Sequence, residues 1–173
     1  MTNTKNGWNI KKAGDILLDV AIENSQEKIV FGESLKKLIS VSVKETLDYE
    51  GVDFIDEVDV LLVDNEAIRA LNREHRNIDK ETDVLSFPMY ACKEEILEQK
   101  ASEIPVILGD IVISLEKAKS QGEQFEHGTE REVSYLAVHS TLHLLGYDHM
   151  SEDEKITMRE KEKSIMKRMG IER

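Results

Sequence analysis

Cysteine is almost absent: Cys92 is the only one in 173 residues, so no internal disulfide can form and the chain suits a reducing compartment. No histidine or asparagine stands around Cys92 in a recognisable nucleophile pattern. Long apolar runs are missing too. The longest stretch free of Asp, Glu, Lys and Arg runs from Val133 to Tyr147, below the ~20 residues a spanning helix needs, and two histidines interrupt it. The first fifteen residues lack the ~7 to 15 apolar residues of a signal peptide and are not Arg-rich, so a cytoplasmic location is expected. Positive charge is scarce, with 23 Lys and Arg against 35 Asp and Glu and a net charge of −12. This excludes a protein that coats nucleic acid by bulk charge. The deficit is uneven, because residues 131–173 carry eight acids and eight bases, so a local basic cleft on an acidic body is compatible with the sequence. Aromatics are 5%, and no base-stacking platform can be named from four Phe, four Tyr and one Trp.

The length predicts one domain over residues 1–173. Folding at this size buries roughly 70% of the unfolded surface, enough for a core without disulfide or structural metal. Alternating and β-branched runs predict strands at Asp15–Asn24, Glu57–Asp64, Asp83–Phe87 and Asp110–Ser114. Helical spacing appears at Leu35, Leu38, Ile39, Val43 and Leu47, over Asn65–Arg76, near Leu115–Phe125, and twice towards the C-terminus, about five helices in all. Met89–Pro105 reads as a long loop or a short helical insertion. Interleaved helices and strands mean an α+β or α/β class.

Two helix starts carry the capping-box pattern, Thr129 with Glu132 and Ser151 with Glu154. The first helix is apolar almost all round between Val133 and Leu145, so it is expected to be buried on most sides. Its histidines therefore need partners. His139 and His143 are four residues apart and project about 40° from each other on one face. Gly146 can take the left-handed conformation that closes the helix, and the turn can bring His149 back to the same point. Three neutral imidazoles leave an open position on Zn²⁺, the arrangement of a catalytic centre, and coordination offsets the cost of clustering imidazoles in an apolar helix. Zinc, one ion per chain, is favoured over nickel, copper or iron by imidazole ligation and availability.

A zinc protease helix carries Glu immediately after its first histidine as general base; here that residue is Ser140. Asp148, beside the third histidine, is either a partner or base for the metal ligands or an ordinary turn residue. On the C-terminal helix, Met158, Ile165 and Met169 share a side and are expected to pack into the core.

The run HSTLHLLGYDH from His139 to His149 resembles the signature of the YbeY family of bacterial metal-dependent endoribonucleases. The resemblance extends in order to LNREHR (Leu71–Arg76), TDVLSFP (Thr82–Pro88) and LGDIVIS (Leu108–Ser114), and covers most of residues 60–160. It departs at Ser140, where the family usually has Gly, and at His75, where an aromatic is common. The resemblance implies an α+β domain with a small mixed sheet and a zinc held by His139, His143 and His149. It further implies cleavage of single-stranded RNA in 3′-end maturation of small-subunit (16S) ribosomal RNA and in ribosome quality control, with Arg76 as the functional arginine. Arg76 and His143 are the catalytic candidates. Independently, Arg69, Arg73 and Arg76 form a stripe at i, i+4 and i+7. A guanidinium fork suits phosphate and can stabilise phosphoryl charge, whereas Arg69 and Arg73 fit a solvated face beside Glu66 and Glu74. Rival readings are a zinc-dependent peptide hydrolase and a ribosome-assembly factor with a mainly structural metal.

Overall fold

In the computed structural model, residues 18–171 are described, and within them alternation along two central strands sets the layers. The elements in chain order are β1 (Asp19–Asn24), α1 (Glu33–Tyr49), β2 (Glu57–Val63), α2 (Asn65–Arg76), β3 (Val84–Pro88), α3 (Lys93–Glu98), β4 (Ile107–Ser114), α4 (Leu115–Gln124), α5 (Thr129–Leu144) and α6 (Glu152–Arg168). A single 3-10 turn, Gln99–Ala101, follows α3. Strand order is β1-β2-β4-β3, with β1–β2 and β2–β4 parallel and β3–β4 antiparallel. This is a single α+β domain with a mixed sheet.

Val58, Val60 and Leu62 of β2, with Ile111 and Ile113 of β4, pack with Ile39 and Val43 of α1 and Leu136 and Ala137 of α5. The alternate residues Val63 and Val112 turn the other way and bury Ile68 of α2 together with Leu85 of β3. Two-sided burial explains why the central strands read as β-branched runs. Helices α1 and α5 thus cover one face and α2 the other. The edge strand β3 packs against both α2 and α5. On α6, Met158 and Ile165 are buried against Val138 and Leu142 of α5, so the methionine stripe is core.

The expected elements are all present, with informative differences at their ends. The sixth helix, α3, is the short helical form of the predicted insertion. For the first predicted strand, positions 15–17 lie outside the described residues. Strand β4 starts at Ile107, three residues before the expected Asp110, because Gly109 continues the strand with φ +144 instead of breaking it. A Cβ there would meet the Phe87 carbonyl oxygen at 2.4 Å, so only glycine lets β3 run this close. The capping box expected at Thr129 and Glu132 does not form. Gly128, at φ +79, is the N-cap, and no side chain caps the helix. Thr129 is thereby the first helical residue, and the Glu132 carboxylate pairs with His127 Nε2 at 3.2 Å. The box at Ser151 and Glu154 forms in full: each side chain accepts from the other's backbone N–H, at 3.2 and 2.8 Å.

Candidate metal centre

Helix α5 ends in a hydrogen-bonded turn that determines where its histidines meet. The Gly146 N–H donates to the His143 carbonyl at 2.9 Å and the Tyr147 N–H to the Leu142 carbonyl at 3.0 Å, the two bonds of a Schellman closure. Gly146 supplies the left-handed residue, φ +90, and a Cβ there would lie 3.1 Å from the Cα of Cys92. The chain reverses, and His149 returns towards α5. One ring nitrogen from each of His139, His143 and His149 then lies within 4.8 Å of the others. Ring centroids are 4.6 Å apart for His139–His143, 5.0 Å for His143–His149 and 5.6 Å for His139–His149.

Hydrogen bonds at the far side of two rings decide their tautomers. The Nδ1–H of His143 donates to the Tyr147 carbonyl at 2.8 Å, and the Nδ1–H of His139 donates to the Glu162 carboxylate at 2.6 Å. A carbonyl and a carboxylate only accept, so in each neutral ring the proton sits on Nδ1 and Nε2 keeps its lone pair. Those two Nε2 atoms face each other at 3.1 Å. Two lone pairs at that distance repel unless a proton or a cation lies between them. Zinc–nitrogen bonds of about 2.0–2.1 Å at a tetrahedral angle separate two nitrogens by about 3.3 Å, so the pair fits an ion with little movement. Burial, reinforced by the neighbouring His139 and His149, pushes His143 down to about 4, so its imidazole is neutral and able to ligate at neutral pH.

Glu162 is the residue the sequence reading missed. Its carboxylate is 8% exposed and also accepts from the Tyr135 hydroxyl at 3.2 Å. Burial, with the nearby Glu162 carboxylate next in importance, pushes the Tyr135 hydroxyl up, which keeps it a donor. The carboxylate thus fixes the ring of His139 in the way that orients imidazoles at metal centres. One signal did exist: Glu162 is an acid set among Met158, Ile165 and Met166 on the buried side of α6, where a charge needs a partner.

The remaining candidates are placed differently. The Asp148 carboxylate accepts from the backbone N–H of His149 at 2.7 Å, shaping the turn, and is not hydrogen-bonded to an imidazole. Ser140 is fully buried, and its hydroxyl has no hydrogen-bond partner among the described residues. Arg76 is the exposed last residue of α2, on the opposite face of the sheet from α5, with β3 as the element both helices touch. Among the described residues its guanidinium makes no hydrogen bond or ion pair, whereas Arg69 forms a two-pronged pair with Asp79 at 2.8 and 3.0 Å. Beside Arg76, His75 meets Phe87 of β3 edge-on at 5.0 Å.

The family model described as Endoribonuclease YbeY matches residues 21–170. The chain belongs to the YbeY family. Among similar proteins of that description, one from Caldanaerobacter subterraneus is 52% identical over 160 residues, covering 90% of this chain and all of the relative. One from Caldicellulosiruptor saccharolyticus is 46% identical over 160 residues with the same coverage. Among solved structures, the solution structure of TM1509 from Thermotoga maritima aligns with a TM-score of 0.54 at 22% identity, over 87% of this chain and 91% of that one, a likeness of fold. The family's metal dependence accords with the three-histidine cluster.

Proposed function

We propose that this chain, acting as one unit over residues 1–173, is a zinc-dependent endoribonuclease. It cuts single-stranded RNA in the 3′-end maturation of small-subunit ribosomal RNA and in ribosome quality control, in the cytoplasm and at the small ribosomal subunit. The observation that carries the reading is the pair of Nε2 atoms of His139 and His143 held face to face at 3.1 Å, with His149 beside them, in a chain of the YbeY family. A divalent ion held by the three imidazoles would supply Lewis acidity towards a phosphodiester oxygen or a water.

The chain's own residues divide the remaining work. Glu162 and the Tyr147 carbonyl hold the ligand rings by their Nδ1–H groups, so neither His139 nor His143 has to reorganise when substrate arrives. Arg76, exposed and without an acidic partner among the described residues, has its fork available for two phosphoryl oxygens and can hold the RNA backbone while charge builds on phosphorus. In an acidic chain such a local cation matters more than the net field. No membrane-spanning helix is present among the described residues.

The peptide-hydrolase alternative lacks its base, because Ser140 stands where the carboxylate would be and faces the buried interior. The deciding experiment incubates the purified protein with single-stranded RNA, duplex RNA and an unstructured protein, with and without chelator, and maps the product ends. Chelator-sensitive cleavage of single-stranded RNA alone is expected, and cleavage only of the protein overturns the reading. A His143→Ala variant that stays folded and keeps ribosome binding but loses cleavage counts against a mainly structural metal.

A further inference from the structure

Glu50, immediately after α1, is an acid in a buried place, with 2% of its side chain exposed. It gathers donors from three separate segments. Its Oε2 accepts from Lys93 Nζ at 2.7 Å and from the Tyr147 hydroxyl at 2.5 Å, and its Oε1 accepts from Lys161 Nζ at 2.7 Å. Its backbone carbonyl takes a further bond from Lys93 at 2.9 Å. The Lys161 ammonium also lies 4.7 Å from the centre of the Tyr147 ring. The start of α3, the middle of α6 and the turn after α5 are therefore tied to one carboxylate.

Burying a carboxylate against two partly exposed ammonium groups costs desolvation, and a well-packed apolar cluster is often as stabilising. What the polar cluster has in addition is direction. Tyr147 is gripped at its hydroxyl by Glu50 and across its ring by Lys161, which restricts both position and rotation. Its backbone carbonyl is the acceptor for His143 Nδ1–H at 2.8 Å, and His149 follows two residues later. Tyr147 thus touches both the buried carboxylate and a candidate ligand.

We propose that Glu50 is a positioning residue for the metal centre. It holds Tyr147 so that its carbonyl keeps His143 in the Nδ1–H tautomer, and so that the main chain delivers His149 to the other two rings. The proposal rests on the reading of the three histidines as metal ligands and extends it to a carboxylate 93 residues before His143. Glu50 acts through another residue and touches no reacting atom.

The test is Co²⁺ binding to the full-length protein, read by its visible absorption and by chelator competition, at a temperature where circular dichroism shows each variant folded. Tyr147→Phe removes the hydroxyl and keeps the ring; Glu50→Gln keeps the shape and removes the charge. Both are expected to bind Co²⁺ about 10- to 100-fold more weakly, with altered absorption bands. The control is Arg168→Ala, which breaks a pair with Glu45 at 3.4 Å and a contact with the Tyr49 ring but no hydrogen bond or ion pair with Glu50 or Tyr147. It is expected to bind as the wild type does. Folded variants with wild-type affinity and spectrum overturn the proposal, as does an equal loss in Arg168→Ala. Should Glu50→Gln fail to fold, unchanged binding by Tyr147→Phe overturns it alone. A wild type that binds no Co²⁺ removes the metal centre and the proposal together, while tight Co²⁺ binding without RNA cleavage overturns only the ribonuclease reading.

Discussion

His139 of α5 donates its Nδ1–H to Glu162 of α6 at 2.6 Å, and this bond locks the face that His139 presents to the other two imidazoles. Packing of Val138 and Leu142 against Met158 and Ile165 holds the two helices in the register that makes the bond. Replacing Glu162 by Ala leaves the ring free to rotate and the Tyr135 hydroxyl without its acceptor. Metal affinity is expected to fall about 10- to 100-fold, measured by chelator competition, and unchanged affinity in a folded variant would remove Glu162 from the site.

A buried hydroxyl with no partner costs stability, and Ser140 is fully buried in that condition. Alanine at this position removes the orphan oxygen and has the better helix propensity, so Ser140→Ala is expected to raise unfolding free energy by about 1–2 kcal/mol in urea titration. Metal affinity is expected to stay unchanged, since no hydrogen bond links the Ser140 hydroxyl to an imidazole.

The i, i+4 histidine pair, the closing glycine and the Ser151–Glu154 box were legible in sequence because each is complete within a few consecutive residues. The residues that hold the site in place were not. Glu162 lies 23 residues beyond His139, and the Glu50 contacts to Tyr147 and Lys161 span 97 and 111 residues. No local pattern encodes such pairs; only the packing of α1, α5 and α6 makes them neighbours. Thr129 and Glu132 misled for a related reason. Their spacing satisfied the capping pattern, yet a glycine one position earlier took the cap and His127 competed for the carboxylate. Similarly, the strand expected from Asp110 begins earlier, at Ile107, because the close approach of β3 is met by glycine at position 109.

Glu50 makes folding depend on pH. Burial alone would raise it, but Lys161, Lys93 and Tyr147 together outweigh that and hold the carboxyl below its ordinary 4.5 in the fold. With the native value lower than the unfolded one, the unfolded chain binds more protons in this range. The contribution is therefore complete above about 4.5 and is lost as pH falls through the native value. Comparing chemical denaturation of the wild type and Glu50→Gln from pH 7 to pH 3.5 is expected to show a shrinking gap below about pH 4.5. A constant gap across the range would contradict the assignment.

Helix α6 presents Glu162 to His139 and Lys161 to Glu50, and its first turn is closed by the Ser151 cap. The Ser151 hydroxyl accepts from the Glu154 N–H at 3.2 Å, and Ser151→Ala is expected to cost about 1 kcal/mol, read as a lower urea midpoint with an unchanged slope.

Arg76 and Arg69 share a helix, and their partners separate them. Arg69 is held by both carboxylate oxygens of Asp79, so its fork is already filled, whereas Arg76 is exposed and unpaired among the described residues. Arg76→Ala is expected to lower kcat/KM on single-stranded RNA by about 100-fold, the scale of losing one charge-stabilising donor. Stability and Co²⁺ affinity should stay near wild-type values, because no hydrogen bond or ion pair among the described residues is removed. Arg76→Lys should recover little of the loss, since an ammonium cannot bridge two phosphoryl oxygens as a fork does. Arg69→Ala should leave cleavage within a few-fold of wild type. If instead the two alanine variants lose activity equally, the effect is one of general surface charge, which raising the salt concentration will abolish for both.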